Sequence, residues 1–124
     1  MNYAIVFLGG GLGAILRYAM GHVGALQSKS IWTHTLVANL LAALILGVVS
    51  AMQVHQKWNI TSAQWLLIAT GFCGGLSTFS TFSLEVVQWI QQGKWFFAFG
   101  YILLNVVLCT ALIGMIHWIT SHWA

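Results

Sequence analysis

The chain runs from residue 31 to residue 54 and again from residue 95 to residue 119 without one formal charge, and both runs are dominated by aliphatic and aromatic side chains. A membrane-spanning helix needs about 20 consecutive, mostly apolar residues. Four segments meet that requirement: residues 3–26, 31–54, 63–91 and 95–119. The first holds one charge, Arg17, and the third holds one, Glu85. Hence the fold class expected is an all-α membrane protein, a single four-span domain over residues 1–124.

Composition closes off the other classes. Only 4% of residues are charged, against about 25% in soluble domains. A soluble enzyme, a disordered tail and a nucleic-acid binder are thereby excluded. The net charge of +3 comes from Arg17, Lys29, Lys57 and Lys94 against Glu85, scattered cations that form no basic patch. The polar connectors are Gln27-Ser28-Lys29-Ser30, His55-Gln56-Lys57-Trp58-Asn59 and Gln92-Gly93-Lys94. Trp32, Trp58, Trp65, Trp89, Trp95, Trp118 and Trp123 mostly fall near span ends, as an interfacial aromatic belt requires. The start, Met1-Asn2-Tyr3, has no basic region and the first span is glycine-rich, so a permanent span is expected there rather than a cleaved signal.

Four spans put both termini and Lys57 on one side and Lys29 and Lys94 on the other, which leaves scarcely any charge bias. Either a partner or the lipid orients such a chain, or it inserts both ways and pairs head to tail with itself. Gly9-x-x-x-Gly13 and Gly71-x-x-x-Gly75 permit close helix approach. With the small size they favour an oligomer. Cys73 and Cys109 lie inside spans without metal-ligand spacing and read as small packing residues.

The run Gly71-Phe72-Cys73-Gly74-Gly75-Leu76-Ser77-Thr78-Phe79-Ser80-Thr81-Phe82-Ser83 is the least helix-like part of the membrane region. Glycine weakens a helix by roughly 1 kcal/mol per residue relative to Ala, and the hydroxyls that follow compete for backbone bonds. Unwound backbone survives at membrane depth only when buried in protein or lining a cavity. Its freed carbonyls can coordinate a small cation. A continuous helix with glycines used only for packing is the other possibility. Beyond the run, Ser77, Thr81, Glu85 and Gln88 follow helical spacing and predict a polar stripe. Phe79 and Phe82 share another face; core packing is the default for them, yet their ring edges are electropositive and can face an anion.

The stretch from Gly71 to Phe82 resembles the signature of the Fluc/CrcB family of fluoride channels. Gly9-Gly10-Gly11-Leu12-Gly13-Ala14-Ile15-Leu16-Arg17-Tyr18 and Thr35-Leu36-Val37-Ala38-Asn39 support the resemblance, which extends to length and four-span layout. It implies an antiparallel, dual-topology homodimer in the cell inner membrane, with a third helix broken at the Gly/Ser/Thr-rich segment and two narrow fluoride pathways built by both chains. It implies a structural sodium ion at the dimer centre, held by the backbone carbonyls of Gly74 and Ser77. The family's pore phenylalanines map onto Phe79 and Phe82 and its pore asparagine onto Asn39. Its fourth-span polar track maps onto Tyr101, Asn105 and Cys109. The chain departs from the family pattern at Ser77, usually Thr, at Asn105 and Cys109, commonly Ser, and at His34 and Ala42, often Gly.

Fluoride is small, strongly hydrated and accepts hydrogen bonds only, so a pathway must replace its water with donors. Asn39 and Asn105 carry amide N–H groups, and Ser80, Thr81 and Tyr101 carry hydroxyls. The ring edges of Phe79 and Phe82 attract weakly enough to allow release, the compromise that conduction requires. Arg17 is either an electropositive vestibule wall or an anchor for backbone carbonyls. Glu85 is expected near a pore mouth or on a packing face.

Two other functions compete. A small proton-coupled exporter needs a titratable carboxylate near the midplane, and Glu85 is the only candidate. A haem anchor needs axial histidines from facing helices, but His22, His34, His55, His117 and His122 mostly lie near span ends. Hydrolytic catalysis has no support: the chain has no Asp, one Glu and no nucleophile–base pair at a recognisable spacing.

Overall fold

The computed structural model describes residues 1–22 and 31–122. Every regular element in them is helical: α1 (Asn2–Met20), α2 (Ile31–Val54), α3 (Ser62–Trp65), a π-helical stretch (Leu66–Cys73), α4 (Gly74–Leu76), α5 (Phe79–Gln91) and α6 (Trp95–His122). Among the described residues, four helices are long and apolar enough to cross a membrane: Asn2–Met20, Trp32–Val54, Ser62–Gln91 and Trp95–His122. α1 closes at Met20, and Gly21 and His22 turn away from it. Residues 23–26 of the expected first span, the connector with Lys29, and Trp123 lie outside the described residues.

Local chemistry sets the ends of the third span. At its start the Gln64 N–H donates to the Thr61 hydroxyl at 3.3 Å, and the Thr61 N–H donates to Gln64 Oε1 at 2.9 Å. This reciprocal cap satisfies two backbone donors that the helix cannot. At its far end Gly93 takes a φ of +72°, a conformation that suits glycine, and its N–H donates to the Ile90 carbonyl at 2.9 Å. The chain thus reverses into α6 within the short polar connector.

α1 packs against the first half of the third span through glycine on both sides. A Cβ on Gly9 would collide with the Leu67 carbonyl oxygen, and one on Gly13 with the Phe72 carbonyl oxygen. From the other side, a Cβ on Gly75 would collide with the Gly10 carbonyl, and one on Gly71 would sit 2.9 Å from Gly9 Cα. The paired small-residue motifs therefore serve a contact within the chain. The glycines expected to favour an oligomer are thus used, on the faces described, for packing inside one chain.

Two apolar clusters complete the interior. Ala38, Ala42, Cys73 and Leu76 join α2 to the first half of the third span. Phe82, Val86, Ala98 and Tyr101 join α5 to α6, and Trp32, Leu36, Trp89 and Ile90 pack against them. The Trp89 ring lies 5.2 Å from Tyr101 and 5.9 Å from Trp32, a cluster of tilted and edge-to-face aromatic rings near one end of the bundle. Most large apolar side chains outside these clusters, such as Phe7, Ile15, Phe96 and Val106, are exposed, as lipid-facing surface requires.

The third span is broken near its midpoint, but not at the glycines. Gly74 has helical angles (φ −63°, ψ −36°), whereas Ser77 (−72°, 156°) and Thr78 (−150°, 118°) are extended. Glycine's permissiveness is used here for close packing, and the hydroxyl residues make the break. Ser77 therefore lies outside α5, so the expected polar stripe cannot start there. Thr81 and Gln88 are exposed while Glu85 is buried, so the remaining positions face different surroundings.

Candidate functional site: the break in the third span

Two side chains hold the extended pair open. Asn39, on α2, accepts the Thr78 N–H at its Oδ1 at 2.8 Å, and its Nδ2 lies 3.5 Å from the Thr78 carbonyl oxygen. That N–H is the one a continuous helix would give to the Gly74 carbonyl. The Thr78 hydroxyl in turn accepts the Thr81 N–H at 3.2 Å and caps α5. That second N–H is the one a continuous helix would give to the Ser77 carbonyl. Asn39 and Thr78 thus release the carbonyls of Gly74 and Ser77 from the helical ladder.

Arg17 meets one of them. Its Nη1 donates to the Ser77 carbonyl at 3.1 Å, linking α1 to the break. A carbonyl oxygen has two lone pairs, so Ser77 keeps acceptor capacity. Around the break, the first half of the span ends in carbonyls and α5 begins in N–H groups. The two half-helix ends therefore offer a negative and a positive partial charge side by side.

Asn105, on α6, extends the network. Its Oδ1 accepts from Asn39 Nδ2 at 3.1 Å, and its own Nδ2 donates to the Tyr101 carbonyl at 3.3 Å. Asn39 therefore commits its amide hydrogens to the protein, whereas Asn105 retains one. Tyr101 and Glu85 form a second, buried centre. The Tyr101 hydroxyl donates to Glu85 Oε2 at 2.7 Å and the Thr35 hydroxyl donates to Oε1 at 2.6 Å. Glu85 is 3% exposed. The Trp32 carbonyl lies 3.2 Å from the same Tyr101 oxygen, but the single phenolic proton favours the closer carboxylate. Glu85 occupies a packing face, and Tyr101 gives its donor to Glu85.

Two cavities meet at the break. The first, about 390 Å³, is lined by Asn39, Cys73, Gly74, Ser77, Thr78, Phe79, Phe82, Asn105 and Cys109 together with apolar side chains, and none of its lining residues carries a formal charge. The second, about 470 Å³, is lined by Arg17, Tyr18, His22, His34, Thr35, Thr78 and Thr81 among others. Thr78 borders both. The Phe79 and Phe82 rings lie 5.7 Å apart, yet Phe79 is 79% exposed and Phe82 is 7% exposed. Ser80 is exposed, with its Oγ 3.4 Å from Thr78 Oγ1. Both cysteines are free thiols.

Of the residues expected to act together, the structure brings Asn39, Gly74, Ser77, Phe79, Phe82 and Asn105 to one cavity and Arg17 and Thr81 to the other; Ser80, Tyr101 and Glu85 line neither. Sequence reasoning missed Thr78 and Thr35. The signal for Thr78 was present, since Thr is a preferred cap where a helix restarts. Thr35 stands one helical turn before Asn39, on the same face of α2.

Known proteins are similar to the chain over most of its length. A channel from Yersinia pseudotuberculosis, named fluoride-specific ion channel FluC 1, is 41% identical over 119 residues, covering 96% of this chain and 93% of its own. A fluoride-specific ion channel FluC from Serratia proteamaculans is 44% identical over 102 residues, covering 82% and 79%. One from Gloeothece citriformis is 38% identical over 107 residues, covering 86% and 85%. Residues 4–116, from the glycine face of α1 through the break to α6, match the family described as CrcB-like protein, Camphor Resistance (CrcB), and the chain belongs to that family.

Proposed function

We propose that this multi-pass membrane protein is a fluoride-selective channel that lets cytoplasmic fluoride leave the cell passively. The observation that carries the reading is the uncharged cavity beside the N-terminal end of α5, bordered by amide, hydroxyl and phenylalanine groups. The names of its relatives support the same reading. Fluoride must exchange its water for donors. In this cavity the remaining Asn105 amide hydrogen and the first N–H groups of α5 supply them, with the exposed Ser80 hydroxyl beside it and the Thr81 hydroxyl in the adjoining cavity. The ring edges of Phe79 and Phe82 add weak attraction. No lysine or arginine borders this cavity, so an anion is not held too tightly to leave. Arg17, in the adjoining cavity, draws anions toward the break while it anchors the Ser77 carbonyl. Asn39 acts as a positioning residue for the pathway.

Hydrogen fluoride diffuses into cells as a neutral acid and ionises inside. An inside-negative potential then drives the anion out across the inner membrane without a coupling ion or nucleotide. The working unit in this reading is an antiparallel, dual-topology homodimer. The exposed Phe79 ring and the open backbone at Gly74, where a Cβ would meet nothing within 4 Å, support a second copy seated against the break. The carbonyls of Gly74 and Ser77 are hard oxygen donors suited to sodium. One chain supplies only these two; a second copy related by a two-fold axis doubles the set. Among the described residues no three His, Cys, Asp or Glu side chains group as metal ligands, so backbone oxygen is the chemistry on offer.

The proton-coupled exporter finds no support. Its carboxylate, Glu85, is buried between Thr35 and Tyr101 and borders neither cavity, and the relatives are named ion channels. Flux from proteoliposomes holding the purified protein tests the proposal. Fluoride efflux is expected to exceed chloride efflux greatly; saturable chloride transport without a fluoride preference overturns it. Crosslinks that join only copies of the same orientation overturn the antiparallel dimer.

A further inference from the structure

At the other end of the α2–α6 contact, two histidines face each other. His55 follows the last residue of α2, His117 lies on α6, and their ring centroids are 5.8 Å apart with planes inclined at 59°. Both are partly exposed, beside the exposed polar connector of Gln56 and Lys57. The backbone beneath them is fixed. α6 crosses α2 at Gly47, where a Cβ would come within 2.9 Å of Ile116 Cδ1, and the His55 N–H donates to the Ala51 carbonyl at 2.9 Å.

Ser50 ties one ring nitrogen of His117. Its hydroxyl donates to the Gly47 carbonyl at 3.2 Å, and its oxygen lies 2.9 Å from His117 Nε2. A hydroxyl has a single proton. In the tautomer that keeps this proton on Gly47, the oxygen accepts from Nε2–H and the ring's lone pair is on Nδ1, the form a metal at Nδ1 selects. A histidine whose one nitrogen is tied by a hydrogen bond is the usual form of a metal ligand. His55 gives its ring nitrogens no hydrogen bond among the described residues.

The spacing suits one shared ion. With a metal–nitrogen bond of about 2.0–2.1 Å, two imidazole centroids on one tetrahedral ion stand roughly 5 Å apart, and farther apart as the angle opens. We propose that His55 and His117 together bind one divalent transition-metal ion of the Zn²⁺/Cu²⁺ class and thereby clamp the ends of α2 and α6. Neutral imidazole selects these ions over Mg²⁺ and Ca²⁺, and water fills the remaining positions. The site is separate from the break and does not depend on fluoride permeation.

Tag-free purified protein titrated with ZnCl₂ by calorimetry tests the clamp. One saturable ion per chain is expected, with binding weakened at least about tenfold in His55→Gln, in His117→Gln and in Ser50→Ala. Undiminished binding in the double variant H55Q/H117Q, or no binding by the unsubstituted protein, overturns the proposal. A second measurement needs no substitution. Electron paramagnetic resonance of the Cu²⁺-loaded protein should resolve coupling to two imidazole nitrogens, and coupling to one or none overturns it.

Discussion

Asn39 Oδ1 accepts the Thr78 backbone N–H at 2.8 Å, across 39 residues of sequence, and this bond takes the place of a helical one. The break is thus an alternative hydrogen-bonding solution, with α2 supplying what the third span's own backbone would otherwise supply. Asn39→Ala leaves the Thr78 N–H and Asn105 Oδ1 without that partner. A buried unpaired group costs about 1–3 kcal/mol, so the thermal unfolding midpoint in detergent should fall. Fluoride efflux from proteoliposomes should fall with it, because Thr78 borders both cavities.

Gly9 and Gly11 are two residues apart on α1, yet they face different surroundings. Gly9→Ala drives a Cβ into the Leu67 carbonyl and should destabilise the protein by about 1–3 kcal/mol. Gly11 has nothing within 4 Å of an added Cβ. Gly11→Ala should be neutral or stabilising by up to about 1 kcal/mol through helix propensity. Equal unfolding midpoints for the two variants would contradict the packing described.

Phe79 and Phe82 separate permeation from stability. Phe82 packs against the Tyr101 ring at a centroid distance of 5.3 Å, so Phe82→Ile should cost roughly 1–3 kcal/mol of stability. Phe79 is mostly exposed within the chain, and Phe79→Ile should leave its fold intact. Both substitutions should slow fluoride flux about tenfold or more, equivalent to roughly 1.4 kcal/mol in the barrier. Undiminished flux from both would remove the rings from the pathway.

The Glu85 carboxylate receives one hydroxyl from α2 and one from α6. Tyr101→Phe and Thr35→Val each remove one of these donors, and each should lower stability by about 1.5–3 kcal/mol. The two effects should not add. A double-mutant cycle read by thermal unfolding should give a coupling of about 0.5–3 kcal/mol, because both donors serve one buried group. Strict additivity would mean that Thr35 and Tyr101 act on the bundle independently.

The sequence by itself determined the four spans, since hydropathy over twenty residues is a local property that the bilayer reads directly. It also marked residues 71–83 as the least helix-like stretch of the membrane region, from glycine and hydroxyl content alone, with a continuous helix left as the other possibility. Tertiary structure decided which of those residues unwind. Gly71 and Gly75 stay helical because α1 lies against their backbone, and the extended conformation falls to Ser77 and Thr78, where Asn39 and the Thr78 hydroxyl replace the lost bonds. Tertiary structure decided as well that Glu85 is buried: its two donors, Thr35 and Tyr101, stand 50 and 16 residues away, and the polar spacing along one helix carries no trace of them. Spacing reports which residues share a face of one helix, whereas a hydrogen bond between helices exists only once packing has set the distance and excluded competing solvent.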